Sequence, residues 1–119
     1  ELLGNLEFSR RCRGVRLETK FPQVEGQAFD VVVEHRIRCQ LKIRSQYSAN
    51  GAFDVPLTKQ SVLGNGSRFK GKYSVSDFDV LVAMVAEAGS GAVRGIFVLP
   101  VGELDRRGLL GSTLRLYPP

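Results

Sequence analysis

The chain has 119 residues, of which 43% are apolar and 24% charged; that is enough for one compact core and matches the size of a single domain over 1–119. No apolar run approaches the roughly 18 residues of a membrane span, so no membrane partner is expected. Seventeen Lys and Arg against twelve Asp and Glu leave a net charge of +5, a surplus that favours polyanionic partners through counterion release. The opening ELLGNLEFSRR lacks the basic leader and long apolar stretch of a secretory signal, and the missing initiator Met reads as a processed product or a domain cut from a longer chain. Cys12 and Cys39 stand 27 apart without flanking ligands, and His35, four residues before Cys39, completes no zinc site. They read as two small buried thiols in a reduced, intracellular compartment, with a redox pair as the alternative.

In chain order, Leu2, Leu3, Leu6 and Phe8 recur at loose helical spacing ahead of Arg10 and Arg11, which predicts a short helix over 2–12; Gly4 and Gly14 weaken it and suggest an end near residue 13. Val15 and Leu17 alternate with Arg16 and Glu18 as in a strand, and FPQVEGQ reads as a turn. Phe29 to Val33 is β-branched and aromatic, the mark of a buried strand; Glu34 and His35 make a tight connection. From Arg36 to Arg44 the alternation is unbroken: Ile37, Cys39, Leu41 and Ile43 fall on one face, and Arg36, Arg38, Gln40, Lys42 and Arg44 on the other. Residues 45–76, rich in Gly, Asn, Ser and Pro, read mostly as loop. Apolar strands follow at 80–85 and 93–99, separated by a GSG turn, then a helical turn over 102–107 and an edge strand over 113–117. The expected fold is α/β, a helix followed by a mixed sheet built on a central β-hairpin.

Four cations in strict alternation read either as a solvated sheet face or as a surface for phosphates, since an anionic partner relieves the repulsion between like charges two positions apart. Arg68, Lys70 and Lys72, interleaved with Phe69 and Tyr73, form a second basic patch suited to phosphate contact and base stacking, or to solubility alone. The hairpin brings Asp30 toward the strand face that holds Gln40 and Lys42. An acid, a second oxygen ligand and a lysine at one sheet edge suit phosphodiester hydrolysis: the oxygens hold Mg²⁺, and the ammonium stabilises developing negative charge or positions the nucleophile. Asp77 and Asp79 read as residues that cap and start a strand rather than as metal ligands. No His lies near a plausible nucleophilic Ser, and GNGSRFKGK lacks the spacing and strand–helix frame of a nucleotide-binding loop.

On these residues the chain resembles a known family. FDVVVEHRIRCQLKIRS is similar to the core of the PD-(D/E)XK nucleases, the restriction-endonuclease-like fold, in which an Asp is followed on the next strand by an acid, any residue and Lys. Gln40 stands where an acid is usual, and QLKIRS is most similar to the intron-associated homing endonucleases with Gln-x-Lys. YSVSDFDVLVAMV and GIFVLPVGEL resemble the downstream strands and turn, so the likeness covers roughly residues 1–105. The resemblance implies Asp30 and Gln40 as metal ligands, joined by the Leu41 carbonyl and by a first-helix acid, Glu7 with Glu1 as fallback; an exposed helix acid is the alternative for Glu7. It implies Lys42 as the catalytic lysine, Mg²⁺ or Mn²⁺ as cofactor, and action as a dimer or tetramer.

The expected function is therefore a metal-dependent endonuclease, a hydrolase of DNA phosphodiester bonds, with RNA left open as substrate. Arg38, Arg44, Lys59, Arg68, Lys70 and Lys72 are expected to grip the nucleic-acid backbone. A neutral amide at Gln40 supplies an oxygen but no charge, which favours the alternative of a non-catalytic DNA-binding module that keeps the fold. A third reading is a protein-interaction domain whose basic face meets an acidic partner; a steep salt dependence of binding separates phosphate contacts from it.

Overall fold

The computed structural model describes residues 2–21, 29–45, 52–62 and 68–117, with residues 2–5, 59–62 and 68–70 described at the backbone alone. Helix α1 spans Leu2–Gly14, longer than the sequence spacing predicts. Its end is not made by Gly14. Leu17 donates its N–H to the Cys12 carbonyl at 2.8 Å and Arg16 to the Arg13 carbonyl at 3.0 Å, while Arg16 takes a left-handed φ of 62°. This double bond pattern is a Schellman cap with arginine at the position glycine usually fills. It consumes the segment expected to be a strand over 15–18, and Val15 and Leu17 stay exposed.

The main sheet has the order β1-β2-β3-β7-β8, with β1 at Thr19–Lys20, β2 at Val31–Val33, β3 at Ile37–Arg44, β7 at Val80–Ala86 and β8 at Val93–Pro100. The hairpin at its heart is the predicted one. Glu34 and His35 both adopt positive φ, 53° and 62°, and Arg36 donates to the Val33 carbonyl at 3.2 Å; such a turn matches the right-handed twist of the strands it joins. β3 runs parallel to β7, which is antiparallel to β8. Every residue of β7 after Val80 is buried, as its unbroken apolar run requires of a strand covered on both sides.

The alternation of β3 and β7 divides the interior. On the α1 side, Phe8 and Cys12 pack on Val31, Val33, Cys39, Leu41, Val82 and Met84. On the other side Leu81, Ala83 and Val85 meet Phe53, Val55 and Leu57, together with Tyr73, Phe78, Leu104 and Leu116. Helix α2 (Val101–Arg106) supplies Leu104. Strands β4 (Phe53–Pro56) and β9 (Thr113–Leu116) form a two-stranded sheet of their own, so β9 does not edge the main sheet. The long loop expected over 45–76 holds three strands: β4, then β5 (Thr58–Val62) paired with β6 (Arg68–Lys72) as a separate antiparallel ribbon. The polar, glycine-rich sequence hid β5 and β6 because a ribbon with no apolar period shows no strand alternation, whereas β4, with Phe53 and Val55 in the core, is hidden by its shortness between Gly and Pro.

Two substitutions test the backbone. Arg16→Gly removes the penalty of a left-handed arginine and is expected to stabilise by about 0.5–1 kcal/mol in urea denaturation. Gly111, at φ 85°, has the Lys72 side chain where its own Cβ would stand, whereas Gly89, at φ 92°, has open space there. Gly111→Ala is expected to cost more than Gly89→Ala, by about 1 kcal/mol or more, in the same measurement.

Candidate functional site

Strand β2 stops pairing at Val31 opposite Cys39, and Asp30 stands level with Gln40. Its backbone N–H reaches the Cys39 carbonyl at 2.8 Å. Its carboxylate then does what the next main-chain carbonyl of β2 would have done: Oδ2 accepts the Leu41 N–H at 2.8 Å. The same oxygen accepts the Gln40 side-chain N–H at 3.0 Å. The expected meeting of Asp30 with Gln40 is therefore formed, through hydrogen bonds. N–H and C=O of one residue leave a strand on the same side, so the Leu41 carbonyl also points to the edge where Asp30 sits. The Leu41 side chain faces α1 and is 1% exposed.

Gln40 is the only buried polar side chain among the described residues, at 7% exposure. A buried amide is costly unless bonded, and Asp30 meets that need. Lys42 follows two positions on, on the same face of β3, half-buried. Among the described residues it makes no hydrogen bond or ion pair.

Arg38 lies on this face too, and much of its guanidinium is engaged. Nε and Nη2 donate to the two Asp79 oxygens at 3.3 Å each, Nη1 to the Ser76 carbonyl at 2.7 Å, and the backbone N–H to Asp79 Oδ2 at 2.8 Å. The guanidinium also lies over the Phe29 ring, 5.8 Å from its centroid. Asp79 thus clips the start of β7 to β3, as its expected strand-starting role requires, and Arg38 presses on the residue before Asp30. The side-chain and backbone bonds from Arg38 hold the Asp79 carboxyl below its ordinary value. The sequence marked Asp79 as a strand start but carried no sign of its partner, 41 residues away. Arg44 donates to the carbonyl of Ile43 at 2.8 Å.

Glu7 sits elsewhere. Hydrogen bonds from Arg10, then Arg11, at 2.8 Å each, lower its pKa. It lines a depression of about 730 Å³ with Ile43, Ser45, Ala86 and Ser90, on the α1 side of the sheet. Asp30, Gln40 and Lys42 face the opposite side. Glu1 lies outside the described residues. Among the described residues no three His, Cys, Asp or Glu side chains gather at a metal-sized site; the oxygens around Asp30 come from one acid, one amide and one carbonyl.

Lys59, Arg68, Lys70 and Lys72 all fall on the β5–β6 ribbon; the side chains of the first three lie outside the described part of the molecule. Lys72 lies over Gly111 at the ribbon's base. The two thiols are free and buried against α1, and burial, with Cys12 and Asp79 adding to it, pushes Cys39 up to about 11, so it is protonated at neutral pH. No described helix is long and apolar enough to cross a membrane.

No family model matches this chain, and no curated protein does. A solved structure does: the bacterial homing endonuclease I-Ssp6803I, with a TM-score of 0.72 at 17% identity over 98% of this chain and 75% of that one. The chain shares that endonuclease's fold, a mixed α/β arrangement of a helix and a mixed sheet.

The Arg38–Asp79 clip has a pH signature. A carboxylate whose folded pKa is depressed contributes stability that is present above its unfolded value and is lost as pH falls through the folded one. For Asp79 that loss begins near 3.8. Glu103, held at about 2 by Arg106 and Arg107, adds a loss in the same acid range. Asp79→Asn is expected to flatten the decline of the urea midpoint between about pH 5 and pH 2.5 without abolishing it, because Glu103 still titrates.

Proposed function

We propose that the chain is a Mg²⁺- or Mn²⁺-dependent DNA endonuclease of the PD-(D/E)XK superfamily, in its Gln-x-Lys branch. The observation that carries this reading is one carboxylate, Asp30, receiving both the Gln40 amide and the Leu41 N–H, with Lys42, which has no polar partner among the described residues, on the same strand face. The shared fold with a homing endonuclease supports it.

The donor set fits a hard divalent cation: the Asp30 carboxylate, the Gln40 amide oxygen and the Leu41 main-chain carbonyl are all oxygen ligands, the kind such an ion would take. Glu7, bonded to Arg10 and Arg11 on the other side of the sheet, is not part of this set. To share an ion with Asp30, Gln40 turns its oxygen rather than its nitrogen toward the carboxylate. A single acid makes the site weaker for metal than a two-acid one. Held by Asp30, the Gln40 amide oxygen and the Leu41 carbonyl, such a cation would supply polarisation of a phosphoryl oxygen and a more acidic water.

The chain's own residues do the rest. Asp30 holds the cation side of the site and is itself held by Leu41 and by the packing of Arg38 on Phe29. Lys42 orients the water that attacks phosphorus, or stabilises the charge that grows as one bridging P–O bond breaks. Arg44, Lys59, Arg68, Lys70 and Lys72 hold phosphates, and Arg38 adds the N–H groups its clip leaves. Cutting both strands takes two copies of the site, hence a dimer or tetramer.

The second reading is a DNA-binding module without chemistry, and the neutral Gln40 favours it. Nicking of supercoiled plasmid separates the two. The wild type is expected to nick only with Mg²⁺ or Mn²⁺. Lys42→Ala and Asp30→Ala are expected to lower the rate by about a hundredfold or more, and Gln40→Glu to reduce the metal concentration needed. DNA binding that ignores metal and Asp30→Ala, with no nicking, would establish the module instead.

A further inference from the structure

We infer that the open edge of β8 is a docking surface for a second copy of this chain, the two β8 strands pairing antiparallel about a two-fold axis at Phe97 and joining two five-stranded sheets into one. The inference stands independently of the nuclease reading, and it assigns a surface to the two copies that double-strand cutting takes.

The two edges of the main sheet differ. β1 is two residues long and ends in Lys20, a short charged edge of the kind that discourages further pairing. β8 runs for eight residues, pairs with β7 on one side, and has no described strand against the other. Its single charge, Arg94, is the residue that the β7 register skips, and Pro100 closes the strand. Residues 95–99 between them carry neither charge nor proline. Val101 continues the ladder and donates its N–H to the Asp79 carbonyl at 2.9 Å. Main-chain groups alternate in direction along an antiparallel strand, so Leu99 and Phe97 also turn theirs to β7, while Ile96 and Val98 turn theirs to the open edge. The side chains of Ile96 and Val98 share the face of Met84 and Val82 but lie outside the cluster that α1 packs on. They are 37% and 62% exposed.

Whatever pairs there must offer an extended, apolar, uncharged strand, and β8 is its own complement. With the axis at Phe97, Ile96 of one copy meets Val98 of the other, and Val98 meets Ile96. Each of these pairs exchanges both of its main-chain hydrogen bonds and covers two β-branched side chains that a single copy leaves in water. The two Phe97 rings come together on the opposite face. Pro100, which has no N–H to give, falls opposite Arg94, outside this central stretch. Charge fits as well. Each copy carries +5, yet Arg94 is held by Glu87 at 2.9 and 2.6 Å and meets a proline, so no like charges face each other across the junction. Such a two-fold axis stands perpendicular to the sheet, so Asp30, Gln40 and Lys42 of both copies face the same side. The strand spacings from one β3 through β7 and β8 to the other β3 add up to about 24 Å.

The test uses the full chain without DNA or metal. Analytical ultracentrifugation from about 1 to 300 µM is expected to show a monomer–dimer equilibrium. Amide hydrogen exchange, read residue by residue, is expected to be about tenfold or more slower at Ile96 and Val98 at the high end of that range than at the low end. Val98→Lys puts a charge on the open edge, and is expected to raise the dimer Kd about tenfold or more and to free both amides. A chain that stays monomeric throughout overturns the inference and leaves the edge to a strand of another protein. A dimer in which the Ile96 and Val98 amides exchange as fast as in the monomer pairs elsewhere and overturns it too. Either result leaves the nuclease reading to the nicking assay, and a chain that dimerises through β8 without nicking fails that reading alone. Should Val98→Lys fail to fold, the wild-type exchange decides by itself.

Discussion

The hydrogen bond from the Leu41 amide to the Asp30 carboxylate is the point at which sheet and site become one thing. A central strand must satisfy every main-chain donor, and β2 ends too early to serve Leu41. The side chain of Asp30 takes over, at 2.8 Å, and so cannot drift from the edge of β3. A bond to a charged acceptor contributes about 1.5–3 kcal/mol, more than a neutral one. The same oxygen satisfies the one buried amide among the described residues. Position and solvation of the acid are thus set by the ladder itself rather than by a flexible loop.

Charge is distributed to the same end. Glu7, Asp79, Glu87 and Glu103 each face an arginine. These pairs are largely exposed, and such contacts contribute little to stability, typically below about 1 kcal/mol each. Their larger effect is to neutralise acids locally. Arg13, Arg16, Lys20, Arg36 and Lys42 are left with no carboxylate partner among the described residues.

How much of this was legible in the sequence depended on how strongly a segment couples to the core. The alternation of Ile37–Arg44 and the apolar run of Val80–Ala86 announced themselves, because burial on one or both faces dictates every side chain. The meeting of Asp30 with Gln40 followed from placing the turn at Glu34–His35. Three things were hidden. The Schellman cap at Arg16 broke an apparent strand, since a cap is a backbone event that alternation does not report. The ribbon carries no apolar period. The placement of Glu7 on the α1 face, away from Asp30, depends on how a helix docks, which its own residues do not encode.

The ribbon also occupies a particular place in the chain: it lies inside the crossover that joins the parallel strands β3 and β7, between the clasps at Leu57 and Tyr73. Closing a longer loop costs only about 0.6 kcal/mol per doubling of its length. Residues added or exchanged between those clasps therefore leave the register of the main sheet untouched. Such an arrangement lets one part of the chain vary in length and sequence while the hairpin that fixes Asp30 against Gln40 and Leu41 keeps its geometry.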